Sequence, residues 1–311
     1  MSLISVVGSC SIDFNSYSTR LPVLGETLIG TNFTQTFGGK GANQAYMCRL
    51  LQGESEEDNT AFIGCVGSDS WGKEIQQNFG SIGVDTKHLT VEGNKTGIAL
   101  INIDKSGDNS IVIHTGANSL LSTKHLQEAR ETLLSSKVVV TQLEIDPLVA
   151  LEAMKIGKEG GAFTILNPAP GLKNLPEGIL EASSLVCPNE TECEIISGIP
   201  VTDLESAKKS AQKIRQMGAL NVVVTLGSKG CVLLDQNENF VHFPVKDKVV
   251  CKDSTGAGDS FVGALAYGIS KGVDLTTSLK RAVTIATISV QNLGTQTSFP
   301  SRKIVEKYIE F

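Results

Sequence analysis

The chain has 311 residues, 41% of them hydrophobic, and a formal net charge of −6. That length and apolar content suffice for a large core in one or two domains. The acidic balance, without any block of Lys and Arg, argues against nucleic acid as a partner, and no apolar run reaches bilayer length.

In chain order, the start Met1-Ser-Leu-Ile lacks the basic flank and long apolar run of a signal peptide. Residues 4–7 form a short apolar run that suits a strand buried on both faces. Residues 14–37 read as extended and more exposed β structure. A glycine-rich turn, Phe37-Gly-Gly-Lys-Gly-Ala-Asn-Gln44, then leads into an amphipathic helix over 42–51. Residues 53–59 make a solvated acidic loop with no assigned chemistry. A buried strand over 61–66 follows. Residues 96–115 read as a second exposed β region, turning at Ser106-Gly-Asp-Asn109.

Beyond it, helices over 123–134, 147–158 and 206–217 alternate with buried strands over 138–140, 163–166, 185–186 and 222–226. Asp146-Pro147 supplies an N-cap followed by Pro at the first helical position, and Met217-Gly218 supplies a stop. Phe261, Leu265 and Ile269 mark one stripe of a helix ending near Gly272, and residues 300–311 suggest a closing helix. Strand–helix alternation over most of the chain predicts one α/β domain over 1–311, a three-layer sandwich with a mostly parallel central sheet. The two β regions, too small to fold alone, are expected to form a small β-sheet lid on it. Seven dispersed cysteines without a Cys-x-x-Cys pair read as reduced thiols of a cytoplasmic protein, the nucleus also being open. The four histidines show no metal-ligand spacing.

Asp253-Ser-Thr-Gly-Ala-Gly-Asp259 carries the most chemistry. Gly256, Ala257 and Gly258 can turn successive backbone N–H groups toward one point at a helix start, which favours a phosphate. Asp259 in the first turn is placed to take a proton from an attacking group. Read alone, the segment is equally a Gly-rich turn with a capping Asp. In Gly38-Gly-Lys-Gly-Ala-Asn-Gln44, three glycines within four residues allow close contact with a small polar ligand, beside Lys40 and Asn43. The P-loop pattern is absent, as is the dinucleotide Gly-x-Gly-x-x-Gly after a strand, which disfavours a dehydrogenase.

These two signatures, in this order, resemble those of the PfkB-type sugar kinases. Matching pieces lie between them: Gly8-Ser9-x-x-x-Asp13, Gly25-Glu-Thr27, Thr141-Gln-Leu-Glu144, Asn167-Pro-Ala-Pro170, Pro188-Asn-Glu-Thr-Glu192 and Thr225-Leu-Gly-Ser-Lys-Gly230. The likeness runs from about residue 4 to Pro300 and is greatest to the ribose-phosphorylating branch. It implies ATP-dependent transfer of a phosphoryl group to O5 of D-ribose, with Asp259 as base and Gly256, Ala257 and Gly258 as anion hole. It places the sugar on Ser11, Asp13, Gly39, Lys40, Asn43, Glu144 and Asp259. ATP would lie on Asn189, Glu192, Thr225, Gly227, Ser228, Lys229, Gly230 and Gly258, with Val283 flanking the adenine. Mg²⁺ would be held through water on Glu192. K⁺ would lie among Asp253, Thr255, Ser289, Asn292, Gly294 and Ser298, largely on backbone carbonyls. A homodimer through the β lid is also implied. Ser11 stands where many ribose kinases have Asn, which leaves deoxyribose, fructose or adenosine as alternative acceptors. A sugar-binding protein without catalysis is the alternative from another class; the intact Asp259 and its glycines speak against it.

Overall fold

The computed structural model describes residues 4–53 and 59–308. Most of the expected acidic loop and the last three residues of the expected closing helix lie outside them. Nine strands form the larger sheet, in the order Phe240–Phe243, Cys231–Leu234, Val222–Thr225, Leu185–Val186, Phe163–Leu166, Val138–Thr141, Ile4–Val7, Thr60–Val66, Asp85–Val91. All pairings from Val222–Thr225 across to Asp85–Val91 are parallel. Cys231–Leu234 runs opposite to its two neighbours at one edge, pairing antiparallel with both Val222–Thr225 and Phe240–Phe243.

The continuous apolar runs follow from helices covering both faces. Alternation in Val138–Thr141 sends Val138 and Val140 into one core cluster and Val139 into the other. Among the described residues no helix is long and apolar enough to cross a membrane. The seven cysteines are free thiols, six buried and Cys251 exposed.

Three helical expectations change. Lys40–Leu51 is not amphipathic, because Gly41, Ala42, Asn43, Gln44, Ala45, Met47, Cys48 and Leu51 are all buried. It is sandwiched between the sheet and the helix Ala257–Ser270. Gly263 permits that contact, since a Cβ there would sit 2.7 Å from Met47 Cβ and 2.8 Å from the Gln44 carbonyl oxygen. The helix expected over 123–134 breaks at Ala129 into Thr123–Glu128 and Arg130–Leu134. The closing helix is confined to Arg302–Val305.

A second sheet of four strands, in the order Asn32–Gly38, Ser11–Tyr17, Gly97–Ile103, Asn109–His114, stands apart from the first. Ser11–Tyr17 pairs antiparallel with Asn32–Gly38 and parallel with Gly97–Ile103. The chain leaves the large sheet at Val7 and enters the small one at Ser11. Asp13 therefore lies inside a strand of the small sheet, not in a turn ending the first. Carboxyl ends of parallel strands are where such folds leave a crevice, and the small sheet stands over that crevice here.

Candidate active site

A cavity of about 190 Å³ lies between the small sheet and the carboxyl ends of the large one. Ser11, Asp13, Gly39, Lys40, Asn43, Glu144 and Asp259 all line it, although the sequence spreads them over some 250 positions. The small sheet adds an apolar wall of Ala99, Ile101, Ile111 and Ile113. Another cavity of similar volume lies at the far end of the Ala257–Ser270 helix, around Tyr267 and Arg281, away from both signatures.

Local geometry explains the first signature. Gly39 has φ of 87°, and a Cβ there would approach the Cys10 Cα to 2.6 Å. Only glycine fits both demands. The Lys40 N–H donates to Oε2 of Glu144 at 2.9 Å, and the Ser9 hydroxyl donates to the same oxygen at 2.5 Å. Ser11 Oγ donates to Oδ1 of Asp13 at 2.8 Å. Burial pushes Asp13 up to about 6, the Ser11 hydrogen bond opposing it and the Glu144 and Asp259 charges adding to it.

Asp259 is 7% exposed, in the first turn of the Ala257–Ser270 helix. Its Oδ1 accepts from Gln44 Nε2 and its Oδ2 from Asn43 Nδ2, each at 2.9 Å. Burial raises its pKa, against the Lys40 charge and these two donors. A carboxylate raised toward neutrality is a stronger base than an exposed one. Burial alone would lower Lys40, yet the Asp259, Glu144 and Glu192 charges outweigh it and hold the ammonium protonated.

The expected anion hole needs one correction. The Ala257 N–H donates to the Ser254 carbonyl at 3.1 Å, closing the turn before the helix, so it is engaged within the fold. The N–H groups of Gly256, Gly258 and Asp259 have no protein acceptor among the described residues. Gly256 adopts φ of 74°, and a Cβ there would meet Thr295 Cγ2 at 2.5 Å. At Gly258 a Cβ would meet nothing within 4 Å, so protein packing does not require that glycine.

None of the nucleotide candidates lines the cavity; they form a neighbouring shelf on the same edge of the sheet. Asn189 and Glu192 make a capping box: Asn189 Oδ1 accepts from Glu192 N at 2.8 Å, and Glu192 Oε2 accepts from Asn189 N at 2.9 Å. Burial raises the Glu192 pKa, against the Asn189 N–H and Lys40. Asn189 is bridged to Thr225, whose N–H donates to the Pro188 carbonyl at 3.0 Å. Gly227, Ser228 and Lys229 form a tight 3₁₀ turn closed by Gly230 at φ of 89°. The Lys229 ammonium is drawn off, to 3.5 Å from the Thr202 carbonyl. Val283, expected to flank the adenine, packs against the core at 7% exposure.

Asp253 ties two loops together: Oδ1 accepts from Thr255 N and Oδ2 from Gly294 N, both at 2.9 Å. The Ser289 and Ser298 hydroxyls donate to carbonyls one turn back, at Ala286 and Thr295.

Sequence reasoning assigned no role to Gln44, Gln142 or Gln296, although each belongs to a side-chain network ending on Asp259. Gln44 stands in the first signature, but its side-chain partners are 98, 123 and 215 positions away.

The sequence pattern of the pfkB family carbohydrate kinases matches residues 1–302, and the chain belongs to that family. It is 40% identical to a ribokinase of Mus musculus, over 96% of this chain and 92% of that one. It is 34% identical to a deoxyribokinase of Salmonella typhi, over 98% of both chains. The structure of Arabidopsis thaliana ribokinase complexed with ribose and ATP superposes with a TM-score of 0.89, at 32% identity and covering 99% of this chain and 98% of that one.

Proposed function

We propose that this protein transfers the terminal phosphoryl group of ATP to O5 of D-ribose, giving ribose 5-phosphate. The observation that carries this is the meeting of Asp259, the bare N–H of Gly256 and the carboxylates of Asp13 and Glu144 at one cavity, with the bare N–H of Gly258 in the same helix-start turn. Acceptor-only carboxylates select a polyol, because a ligand without the matching hydroxyls leaves buried groups unpaired. The likeness to the ribose- and ATP-bound plant enzyme supports the same assignment.

Asp13, with Asn43 and Glu144, holds the sugar. Asp259 accepts the proton of its attacking hydroxyl. The Gly256 and Gly258 N–H groups, joined by that of Asp259, stabilise charge on the transferring oxygens, with Lys40 close by. The shelf of Asn189, Thr225 and the Gly227–Lys229 turn carries the nucleotide. Mg²⁺, held through water near Glu192, would neutralise phosphate charge, and Glu192 Oε1 has no protein partner among the described residues. K⁺ would be held by carbonyls of the loops that Asp253 joins, stiffening the anion hole. The small sheet acts as a lid that excludes water from the sugar.

Its outer strand Asn109–His114 is exposed throughout, with Ile111, Val112 and Ile113 each more than half exposed. A second copy covering that apolar strand gives the homodimer, which sedimentation of the purified protein tests. Free thiols and an acidic surface suit a cytoplasmic location.

The experiment that tests the function is a panel of ribose, 2-deoxyribose, fructose and adenosine with ATP, Mg²⁺ and K⁺, reading ADP release. Ribose is expected to give the highest kcat/KM. Preference for deoxyribose would favour the second reading, which Ser11 and the deoxyribokinase likeness keep in view.

A further inference from the structure

Two chains of side-chain amides converge on the two oxygens of Asp259, and all their members but Asn43 stand behind the cavity. In the first, Gln142 Nε2 donates to Gln44 Oε1 at 2.6 Å, and Gln44 Nε2 donates to Asp259 Oδ1 at 2.9 Å. In the second, Asn78 Nδ2 donates to Gln296 Oε1 at 2.8 Å, Gln296 Nε2 to Asn43 Oδ1 at 3.0 Å, and Asn43 Nδ2 to Asp259 Oδ2 at 2.9 Å. Gln44 and Gln142 are fully buried, Gln296 is 7% exposed, and none of the three lines the sugar cavity.

The polarity of the first chain is fixed by groups that can only accept. Asn167 Nδ2 donates to the Cys187 carbonyl at 2.9 Å, so its Oδ1 faces Gln44 and accepts from Gln44 Nε2 at 3.0 Å. The Asp259 carboxylate also only accepts. Turning the Gln44 amide over would set its oxygen against both of them. Gln142 must therefore present its NH₂ to Gln44, and its own Oε1 is left buried without a partner among the described residues. A buried orphan acceptor is destabilising, which an arrangement serving packing alone has no reason to keep.

We propose that Gln44 is a positioning residue for the base, fixing the plane of the Asp259 carboxylate and stabilising its anion, with the Asn78–Gln296–Asn43 chain acting on the other oxygen. With each oxygen holding one amide donor, the remaining lone pairs are aimed at the cavity, and aligned amide dipoles strengthen each link. The proposal rests on the kinase reading of Asp259. The charged groups that face Asp259 are Lys40 from the Lys40–Leu51 helix, Glu144 after the Val138–Thr141 strand, Asp13 from the small sheet and Glu192 from the Glu190–Ser197 helix. Of these only Lys40 favours the anion, so the amides supply the rest.

The test compares Gln44→Glu and Gln44→Met with the unaltered enzyme. In Gln44→Glu an oxygen replaces the donor, and the acidic limb of the kcat profile should move up by about one pH unit or more. In Gln44→Met, kcat should fall about 10- to 100-fold while the ribose KM changes less than about threefold. Wild-type kcat and pH profile in both variants, or a loss confined to KM, would overturn the proposal. Should Gln44 variants fail to fold, Gln142→Met leaves the direct contact in place and should give the same change at smaller size; an unchanged pH profile there overturns it. The Asp259 carboxyl titration, read by ¹³C NMR without substrate and assigned with Asp259→Asn, should move upward in Gln44→Glu. No movement overturns the proposal whatever the sugar, whereas an enzyme inert toward ribose overturns only the assigned acceptor.

Discussion

The main-chain N–H of Lys40 and the carboxylate of Glu144 are joined by a 2.9 Å hydrogen bond across 104 positions of sequence. That bond locks the glycine turn of the first signature to the carboxyl end of a central strand. It thus joins the end of the small-sheet strand Asn32–Gly38 to the end of the large-sheet strand Val138–Thr141. The small sheet stands over the cavity, and Asp259 reaches it from the Ala257–Ser270 helix.

Asp259→Asn removes the base but keeps the size of the side chain. The variant should still bind ribose and ATP while kcat falls on the order of 10²–10⁴-fold. Steady-state kinetics with calorimetric ribose binding check this. Near-normal turnover would remove Asp259 from the role of base.

Asp13 gives a pH-dependent stability effect of definite sign. Its folded pKa of about 6 lies above the value for an unfolded Asp. The folded state therefore binds the proton more tightly, and stability from this group falls as pH rises from about 4 to about 6. Without ligand, Asp13→Asn should be more stable than wild type at pH 7, by on the order of 1–3 kcal/mol, and the difference should vanish near pH 4. Urea unfolding at the two pH values measures it. The same variant should raise the ribose KM far more than the ATP KM.

The two glycines of the proposed anion hole, Gly256 and Gly258, should respond oppositely to alanine. Gly256→Ala forces a side chain into φ of 74° and against Thr295, so it should lower the melting temperature. Gly258→Ala meets no protein atom within 4 Å and should leave the fold at least as stable. Its methyl group would stand where phosphate oxygens approach, so kcat/KM for ATP should drop about tenfold or more. Equal thermal melts with unchanged kinetics at Gly258 would show that the amide does not meet phosphate.

Replacing K⁺ by Na⁺ or choline should lower kcat if the loops joined by Asp253 hold a monovalent cation. Asp253→Ala, which frees Gly294 from Thr255, should weaken the response to K⁺. Full activity in choline would dismiss the site.

Much was legible because the residues concerned are local. Runs such as Val-Val-Val-Thr at 138–141 suit strands covered on both sides, and Asp146-Pro147 suits a helix start, as the structure has them. Other elements were obscured for physical reasons. Lys40–Leu51 looked amphipathic because its buried polar residues, Asn43 and Gln44, resemble a solvent face until their partners are known. The Ala257 N–H looked available until the turn closing on Ser254 was seen.

Sequence alone determined the alternating α/β order, both glycine signatures and the carboxylate at 259, since backbone freedom and periodicity are written residue by residue. Only the folded chain decided which donors reach that carboxylate. Asn43 and Gln44 lie 216 and 215 positions from it, and they touch it because Gly263 lets two helices approach closely. Contacts of that kind depend on packing distance between elements, which no local pattern encodes.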